Sequence, residues 1–460
     1  MSMIASSLIK QFDVPGPRYT SYPTADRFYP DKEGLALQKG IEYRSHHPKA
    51  LSLYIHIPFC DSVCYYCGCN KVVTKNYGMA MDYLQTLVKE IDAVVSLLDH
   101  GNVNDLKVAQ LHLGVGSPTF LSDEQLAELI SHLNYRFDWL ESCEKSIEID
   151  PRTMNKERFI HLKQLGFNRL SLGIQDFDPD VQLAIHRVQP YQSVVSMMRI
   201  ARELSFDSIN MDLIYGLPKQ TKDSFFRTLT EVAALRPERI ALYGYAHLPE
   251  RFKPQRRIAI EDLPDAEQKC AMLENAVDYF MAQGYEYIGM DHFALPHDEL
   301  ARVKKVGQLH RNFQGYHTLK DCDLVGFGVS AISDIGNCYS QNLKNLTEYS
   351  AQAAAGKLPI EKGLVLTDED ILRREVIMSI MCQGKINIIE IEKRFLIDFK
   401  EHFSQALIRL KPFEREGLVT ISPESIEVSE EGWFLIRPMA MAFDQYIWQD
   451  TDHRRFSKVL

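Results

Sequence analysis

Four of the chain's nine cysteines fall within the stretch YIHIPFCDSVCYYCGCNK, as Cys60, Cys64, Cys67 and Cys69 in the register C-x3-C-x2-C-x-C. Three thiolates from one loop can hold three irons of a [4Fe–4S] cluster and leave the fourth iron open. The amine and carboxylate of S-adenosylmethionine can chelate an open iron. One-electron reduction through the cluster then breaks the sulfonium C–S bond and releases a 5′-deoxyadenosyl radical. Zinc cannot do this, because it has no accessible electron. A structural zinc site also expects a second Cys/His pair at matching spacing, and none follows. A solitary electron-transfer cluster is the other plain reading. With Cys60, Cys64 and Cys67 as ligands, Cys69 is expected to be an unligated neighbour, and Tyr66, just before the third thiol, to lie against the adenosyl group.

The elements around this loop alternate. Strand patterns occur at LSLYIHIPF, VAQLHLGVG, KSIEIDP, RLSLGIQDF, SINMDLIYGLP and RIALYGYAHLP, with amphipathic helices between them. Six β-α repeats with helical crossovers predict a parallel sheet. The strands end on polar or glycine positions, as a barrel with a functional carboxyl-end rim would. Six units are fewer than eight, so the expectation is an α/β fold: a partial (β/α)6 TIM-like barrel. The second strand ends in GVGSPT, where glycines let backbone approach a cofactor.

The flanks differ. GPRYTSYPTADRFYP is rich in Pro, Tyr and turn residues and reads as an extended segment lying on something else. The apolar, glycine-containing LVGFGVSAIS is expected to cover the barrel mouth. From about Thr367 helices dominate, followed by two short strands at LVTI and SIEV and a last helix over EEGWFLIRPMAMAFDQYI. That order suggests a winged-helix-like unit. The expected organisation is therefore residues 1–48 as an N-terminal extension over the active site, 49–340 as the barrel, and 341–460 as a mostly helical, winged-helix-like domain.

A formal net charge of −10 argues against nucleic acid as a partner and for a purely structural wing. No apolar run is long enough to span a membrane. The N-terminus lacks a secretory pattern, and the remaining cysteines are scattered singly, which points to a reducing, cytoplasmic compartment.

The stretches GPRYTSYPTA, LSLYIHIPFCDSVCYYCGCN, SIEIDPR, GFNRLSLGIQDF, NMDLIYGLPKQT, YAHLP, GMDHFA, LHRNFQGY and GVSAIS, in that order to about residue 335, resemble the oxygen-independent coproporphyrinogen III oxidases. These belong to the radical S-adenosylmethionine enzymes. The leading GPRYTSYPTA separates them from shorter relatives thought to handle haem. The resemblance implies oxidative decarboxylation of two propionates of coproporphyrinogen III to vinyl groups, giving protoporphyrinogen IX. It implies a [4Fe–4S] cluster on Cys60, Cys64 and Cys67, two S-adenosylmethionine molecules per chain, and a low-potential electron donor such as flavodoxin. A monomer is expected.

Carried over by motif, Tyr54, Glu148 and Ile332 contact the cluster-bound cofactor, with Tyr54 and Glu148 nearest the chemistry. Tyr66, Gly116, Ser117, Gln175, Arg187, Asp212 and Ala246 line the second cofactor. From sequence alone Ala246 and Ile332 read as core, and Arg187 as an exposed arginine at a helix end. Val115 departs from the family's run of three glycines. Its side chain would crowd the cofactor or oppose a left-handed backbone. The rival readings are a radical enzyme acting on haem, a haem-binding carrier without turnover, and, more distantly, a metal-dependent regulator using the C-terminal wing.

Overall fold

The computed structural model describes residues 14–449 apart from 103 and 320, together with 8, 11 and 12. The start of the N-terminal extension and the last residues of the C-terminal domain therefore lie outside the described residues. All six expected parallel strands form: β1 (Ala50–His56), β2 (Lys107–Gly114), β3 (Asp138–Ile149), β4 (Arg169–Gln175), β5 (Ser208–Tyr215) and β6 (Arg239–Gly244), each paired in parallel with the next. Helices α1 (Gly78–Leu98), α2 (Asp123–Arg136), α3 (Lys156–Gln164), α4 (Tyr191–Glu203) and α5 (Lys222–Leu235) cross between them, and α6 (Ala266–Ala282) follows β6.

The strands alternate with period two, and the two faces carry different chemistry. Leu111, Leu113, Ile147, Leu170, Leu172, Met211, Leu213, Ile240 and Leu242 are buried in the hydrophobic core. Their neighbours His112, Glu148, Ser171, Asp212 and Tyr243 line cavities. Helix starts are set by side-chain caps. Ser122 with Gln125 and Thr221 with Ser224 form capping boxes at α2 and α5, and Asn155 caps α3.

Three expectations about the flanks are corrected. The LVGFGVSAIS stretch does not cover the mouth. It supplies β7 (Cys322–Phe327), a seventh parallel strand beside β1, and the antiparallel strand Ile332–Ile335. Its apolar residues are buried on the sheet, where an open lid would leave them wet. The sheet then runs on through Cys338–Asn342 and Ile360–Val365 to Tyr29–Pro30, and ends at the other edge in His292–Ala294 and Glu286–Gly289, thirteen strands in all. The expected boundary at residue 340 therefore falls inside a strand. Residues 16–30, read as extended, hold one 3-10 turn at Ala25–Arg27 and the strand Tyr29–Pro30, and the helix Leu35–His46 follows them. The last helix is broken into a 3-10 turn at Gly432–Leu435 and two short helices, Ile436–Met441 and Gln445–Gln449. Between Val365 and that segment stand the helix Asp368–Gln383, with a Thr367–Asp370 capping box, further helices, and a small antiparallel sheet of Lys385–Asn387, Ser425–Val428 and Val419–Ile421.

Arg44 joins the N-terminal helix to the barrel. It is 2% exposed, pairs with Asp323 at 2.9 Å and donates to the carbonyls of Lys49 (2.6 Å) and Asp105 (3.0 Å). Replacing it with alanine leaves a buried carboxylate and two carbonyls without their cation, which typically costs about 3–5 kcal/mol. Arg44→Ala is therefore expected to lower the unfolding free energy by that order, measured by urea unfolding followed by circular dichroism.

Candidate active site

The cysteine loop leaves β1 and is pinned by short-range structure. Phe59–Cys60 pairs with Val72–Val73, and the Cys67 N–H donates to the Cys64 carbonyl at 3.3 Å. The Tyr65 N–H donates to the Ile185 carbonyl at 2.9 Å, and the Tyr65 ring stacks on His186 with centroids 5.0 Å apart. Cys60, Cys64, Cys67 and Cys69 all face one cavity at the carboxyl ends of β2 to β5. Among the described residues no group of three or more His, Cys, Asp or Glu is placed to hold a single metal ion.

Two guanidinium groups reach the deepest thiol. Arg152 Nη2 lies 3.7 Å and Arg187 Nη1 3.6 Å from Cys64 Sγ. Both also hold Asp150, at 2.6 Å and 3.4 Å. Burial disfavours the charged Asp150, but Arg187 and Arg152 outweigh it and hold its pKa to about 2. Arg187 further donates to the Gly173 carbonyl at 3.1 Å from Nε and 2.7 Å from Nη2. It is buried, not the exposed arginine that sequence alone suggests. This donor set fits a cluster whose thiolates need neighbouring positive charge.

The opposite wall carries two carboxylates with diverging acidities. Glu148 accepts the Val115 N–H at 2.9 Å and meets His112 Nε2 at 3.3 Å. Burial works against its charge, yet His112 and the Val115 N–H win and its pKa lies below the usual range. Asp212 goes the other way. Burial first and the Glu148 charge second raise its pKa to about 7, against the hydrogen bonds from Asn210 (2.9 Å) and Ser171 (3.2 Å). Two acids pushed apart in this manner can take different protonation roles at one pH.

Of the residues picked from sequence, Cys60, Cys64, Cys67, Tyr66, Val115, Gly116, Ser117, Glu148, Gln175, Arg187 and Asp212 line this cavity. Tyr54 sits behind the wall, its ring stacked on His112 with centroids 6.0 Å apart. Ala246 and Ile332 are not brought into the cavity. Ala246 is exposed, and its carbonyl accepts from Gln255 Nε2 (3.2 Å), which also donates to the Tyr66 carbonyl at 2.9 Å. Ile332 packs with Phe28, Tyr339 and Phe313 outside it, because its strand lies beyond β7. The sequence marks Asp150 only as one of the polar strand ends of the rim, and gives no role to Arg152, His112 or Gln255. The signal for His112 was its inward parity on β2, two residues from Gln110 and Gly114.

A second, inner cavity shares Glu148, Ser171, Asp212 and Tyr243 with the first, and is closed by the hairpin of His310–Asn312 and Gly315–His317.

Comparison with known proteins decides the family. The chain is 47% identical to an oxygen-independent coproporphyrinogen III oxidase of Pseudomonas aeruginosa, over 99% of this chain and 98% of that relative. It is 41% identical to one of Helicobacter pylori over the full length of both. It belongs to the oxygen-independent coproporphyrinogen III oxidase family. A model of the radical SAM superfamily matches residues 54–232, and one of the HemN C-terminal domain matches 366–435. A solved Escherichia coli coproporphyrinogen III oxidase, described as a radical SAM enzyme, superposes with a TM-score of 0.91 at 43% identity, covering 96% of this chain and 99% of that one.

The glycine-rich loop carries Val115 under strain. Val115 has φ +51°, a left-handed conformation that a β-branched residue avoids. Gly116 follows at φ +78°, where a Cβ would lie 2.3 Å from the Ile57 carbonyl oxygen. The left-handed backbone costs a side-chain-bearing residue about 1–2 kcal/mol, against about 0.5–1 kcal/mol of chain entropy for a glycine. Val115→Gly is therefore expected to hold or raise the melting temperature. It is also expected to tighten S-adenosylmethionine binding, since the side chain borders the cavity. Calorimetric titration of the reconstituted variant checks this, and weaker binding would mean that the valine contributes packing.

Proposed function

We propose that this chain performs the oxidation for which its relatives are named. It converts two propionates of coproporphyrinogen III to vinyl groups, giving protoporphyrinogen IX, with one hydrogen atom, CO2 and one electron lost at each. The carrying observation is the cavity itself: three thiols of one loop on one wall, and Glu148 and Asp212 on the strand ends opposite. Cys60, Cys64 and Cys67 would hold the [4Fe–4S] cluster, which with S-adenosylmethionine supplies one-electron bond cleavage when bound.

The protein's own groups orient and balance charge. Glu148, kept ionised, is an acceptor for a cationic or hydroxylated ligand, and its grip on the Val115 N–H sets the loop that faces the ligand. Asp212, with a pKa of about 7, keeps a proton on its carboxyl near neutrality and can donate to a ligand hydroxyl. Tyr54 backs His112 and so fixes the partner of Glu148. A second S-adenosylmethionine beside the first is supported by the run of Gly116, Ser117, Gln175, Arg187 and Asp212 along the same cavity. Ala246 belongs to it only through Gln255 and Tyr66.

A monomer in a reducing cytoplasm, served by a flavodoxin-like donor, completes the reading. Both sheet edges end in strands of two and four residues, which offer little for edge-to-edge pairing. The nine cysteines are free thiols. No helix among the described residues is long and apolar enough to cross a membrane.

Anaerobic reconstitution followed by product analysis with coproporphyrinogen III tests the function. Protoporphyrinogen IX is expected, and turnover of haem instead would favour the haem-directed rival. Cys60→Ala, Cys64→Ala and Cys67→Ala are each expected to abolish bound iron and turnover, whereas Cys69→Ala keeps the iron, measured by metal analysis.

The raised pKa of Asp212 has a signed consequence. Stability from its protonated form is present below the unfolded value of about 4 and is lost as pH rises toward 7. Asp212→Asn removes that loss. The cofactor-free variant should melt above the wild type at about pH 8 and close to it at about pH 4.

A further inference from the structure

Three arginines gather beside the inner cavity, each from a different part of the chain. Arg18 belongs to the N-terminal segment, Arg311 to the hairpin, and Arg437 to the helix Ile436–Met441. Arg437 is buried and donates to the carbonyls of Gly16 (2.6 Å) and Pro17 (3.2 Å), so it holds the N-terminal segment in place. Arg18 pairs with Asp291, and its guanidinium stands 5.7 Å from the ring centroid of Tyr243. Arg311 is 3% exposed. Its Nε donates to the Arg18 carbonyl at 3.4 Å, its guanidinium lies 4.7 Å from the Tyr316 ring centroid, and its Nη1 has no hydrogen-bond partner.

Tyr243 and Tyr316 are both walls of the inner cavity. Other groups of that wall are unpartnered too: Gln314 Nε2, His292 Nδ1 and both ring nitrogens of His317. Burial pulls His292 down to about 3 and His317 to about 4, so both are neutral near pH 7, each with one N–H to offer. Burial and then the charges of Arg18 and Arg311 lower Arg437 as well, so the arginines repel one another where they sit. A buried guanidinium with an idle N–H, packed on Tyr316 behind a wall of idle donors, calls for an acceptor that carries negative charge.

We infer that Arg311, with Arg18 beside it, anchors one propionate carboxylate of the tetrapyrrole, a propionate that the reaction keeps. This rests on the function proposed above and names the group that positions its substrate. The substrate has four propionates and loses two. The bond-breaking end is the thiol-lined cavity, and the arginines lie beside the inner one, beyond the shared walls of Glu148, Asp212 and Tyr243. A carboxylate leaving as CO2 gains nothing from a rigid cationic clamp, whereas one that stays can hold the ring through both turnovers.

The test uses reconstituted holoenzyme and coproporphyrin III, the stable oxidised ring, followed by fluorescence quenching, with its tetramethyl ester as the uncharged control. Wild-type turnover of coproporphyrinogen III is measured in parallel, so that failure of the function itself is seen separately. Arg311→Gln is expected to weaken coproporphyrin III binding about ten- to hundredfold, to leave ester binding, iron content and S-adenosylmethionine binding unchanged, and to be partly rescued in Arg311→Lys. Equal affinity of wild type and Arg311→Gln would overturn the inference, as would equal weakening for acid and ester. If Arg311→Gln does not fold or hold iron, Arg18→Gln, whose side chain is 36% exposed, decides by the same comparison: selective loss of acid binding supports the anchor, and no loss refutes it.

Discussion

Cys64 and Asp150 share the same two guanidinium groups, and the site is built outward from that sharing. Arg187 and Arg152 each lie within 3.7 Å of the Cys64 sulfur and within 3.4 Å of an Asp150 oxygen. The cysteine loop has little regular structure, so its rigidity comes from what it is tied to. Arg187 also binds the Gly173 carbonyl, where an added Cβ would stand 3.0 Å from its Nη2. One side chain thus joins the ends of β3 and β4 to the loop. The arrangement sets two cations against one carboxylate before any thiol ionises, which leaves positive charge available for an anionic cluster.

This explains what could and could not be read beforehand. The cysteine spacing announces the chemistry because few functions need three thiols in one loop. The six strands are legible because each couples an apolar face to helices with a polar face to the cavities. His112, Glu148, Ser171 and Asp212 carry that pattern in plain period two. Arg187 is not legible, since nothing local distinguishes a buried arginine from one on a helix end, and its partners come from strands 14 and 37 residues away. Ile332 and Ala246 lie outside the cavity for a related reason. The resemblance ranks positions along the chain, but whether a side chain reaches a cavity depends on how far its strand or loop lies from β1 to β5. The LVGFGVSAIS stretch misleads because a glycine-bearing apolar run reads equally as lid or strand, and only pairing with β1 decides.

Strain falls where these elements meet. Val115, Gln175 and His186 all have left-handed backbones, at φ +51°, +68° and +56°. Gln175 ends β4, where the pairing with β5 slips by one residue. Val115 bends the loop so that its N–H reaches Glu148, and His186 turns the chain so that its ring stacks on Tyr65 and its Nδ1 meets the Val63 carbonyl at 2.8 Å. At Val115 and His186 an unfavourable backbone is offset by a contact, to Glu148 on the cavity wall and to the cysteine loop respectively, as is common at functional sites.

The far ends of the chain are also fixed by contacts between distant elements. The C-terminal unit has helices and a small antiparallel sheet, and it packs on the N-terminal segment. Tyr19 donates to Asp444 at 2.9 Å, the Gln445 N–H donates to Tyr22 at 3.2 Å, and Phe12 stacks on Phe413 with centroids 4.2 Å apart. Gly16 passes so close to Met441 that an added Cβ would lie 2.4 Å from its sulfur. The unit therefore clasps residues 16–22, and through them it holds Arg18 against Tyr243. A segment with no hydrophobic core of its own cannot keep a charged side chain in register beside a cavity. Here the register comes from a domain more than 400 residues later in the sequence, which ties the C-terminal unit to the substrate side of the barrel although it contributes nothing to the thiol-lined cavity.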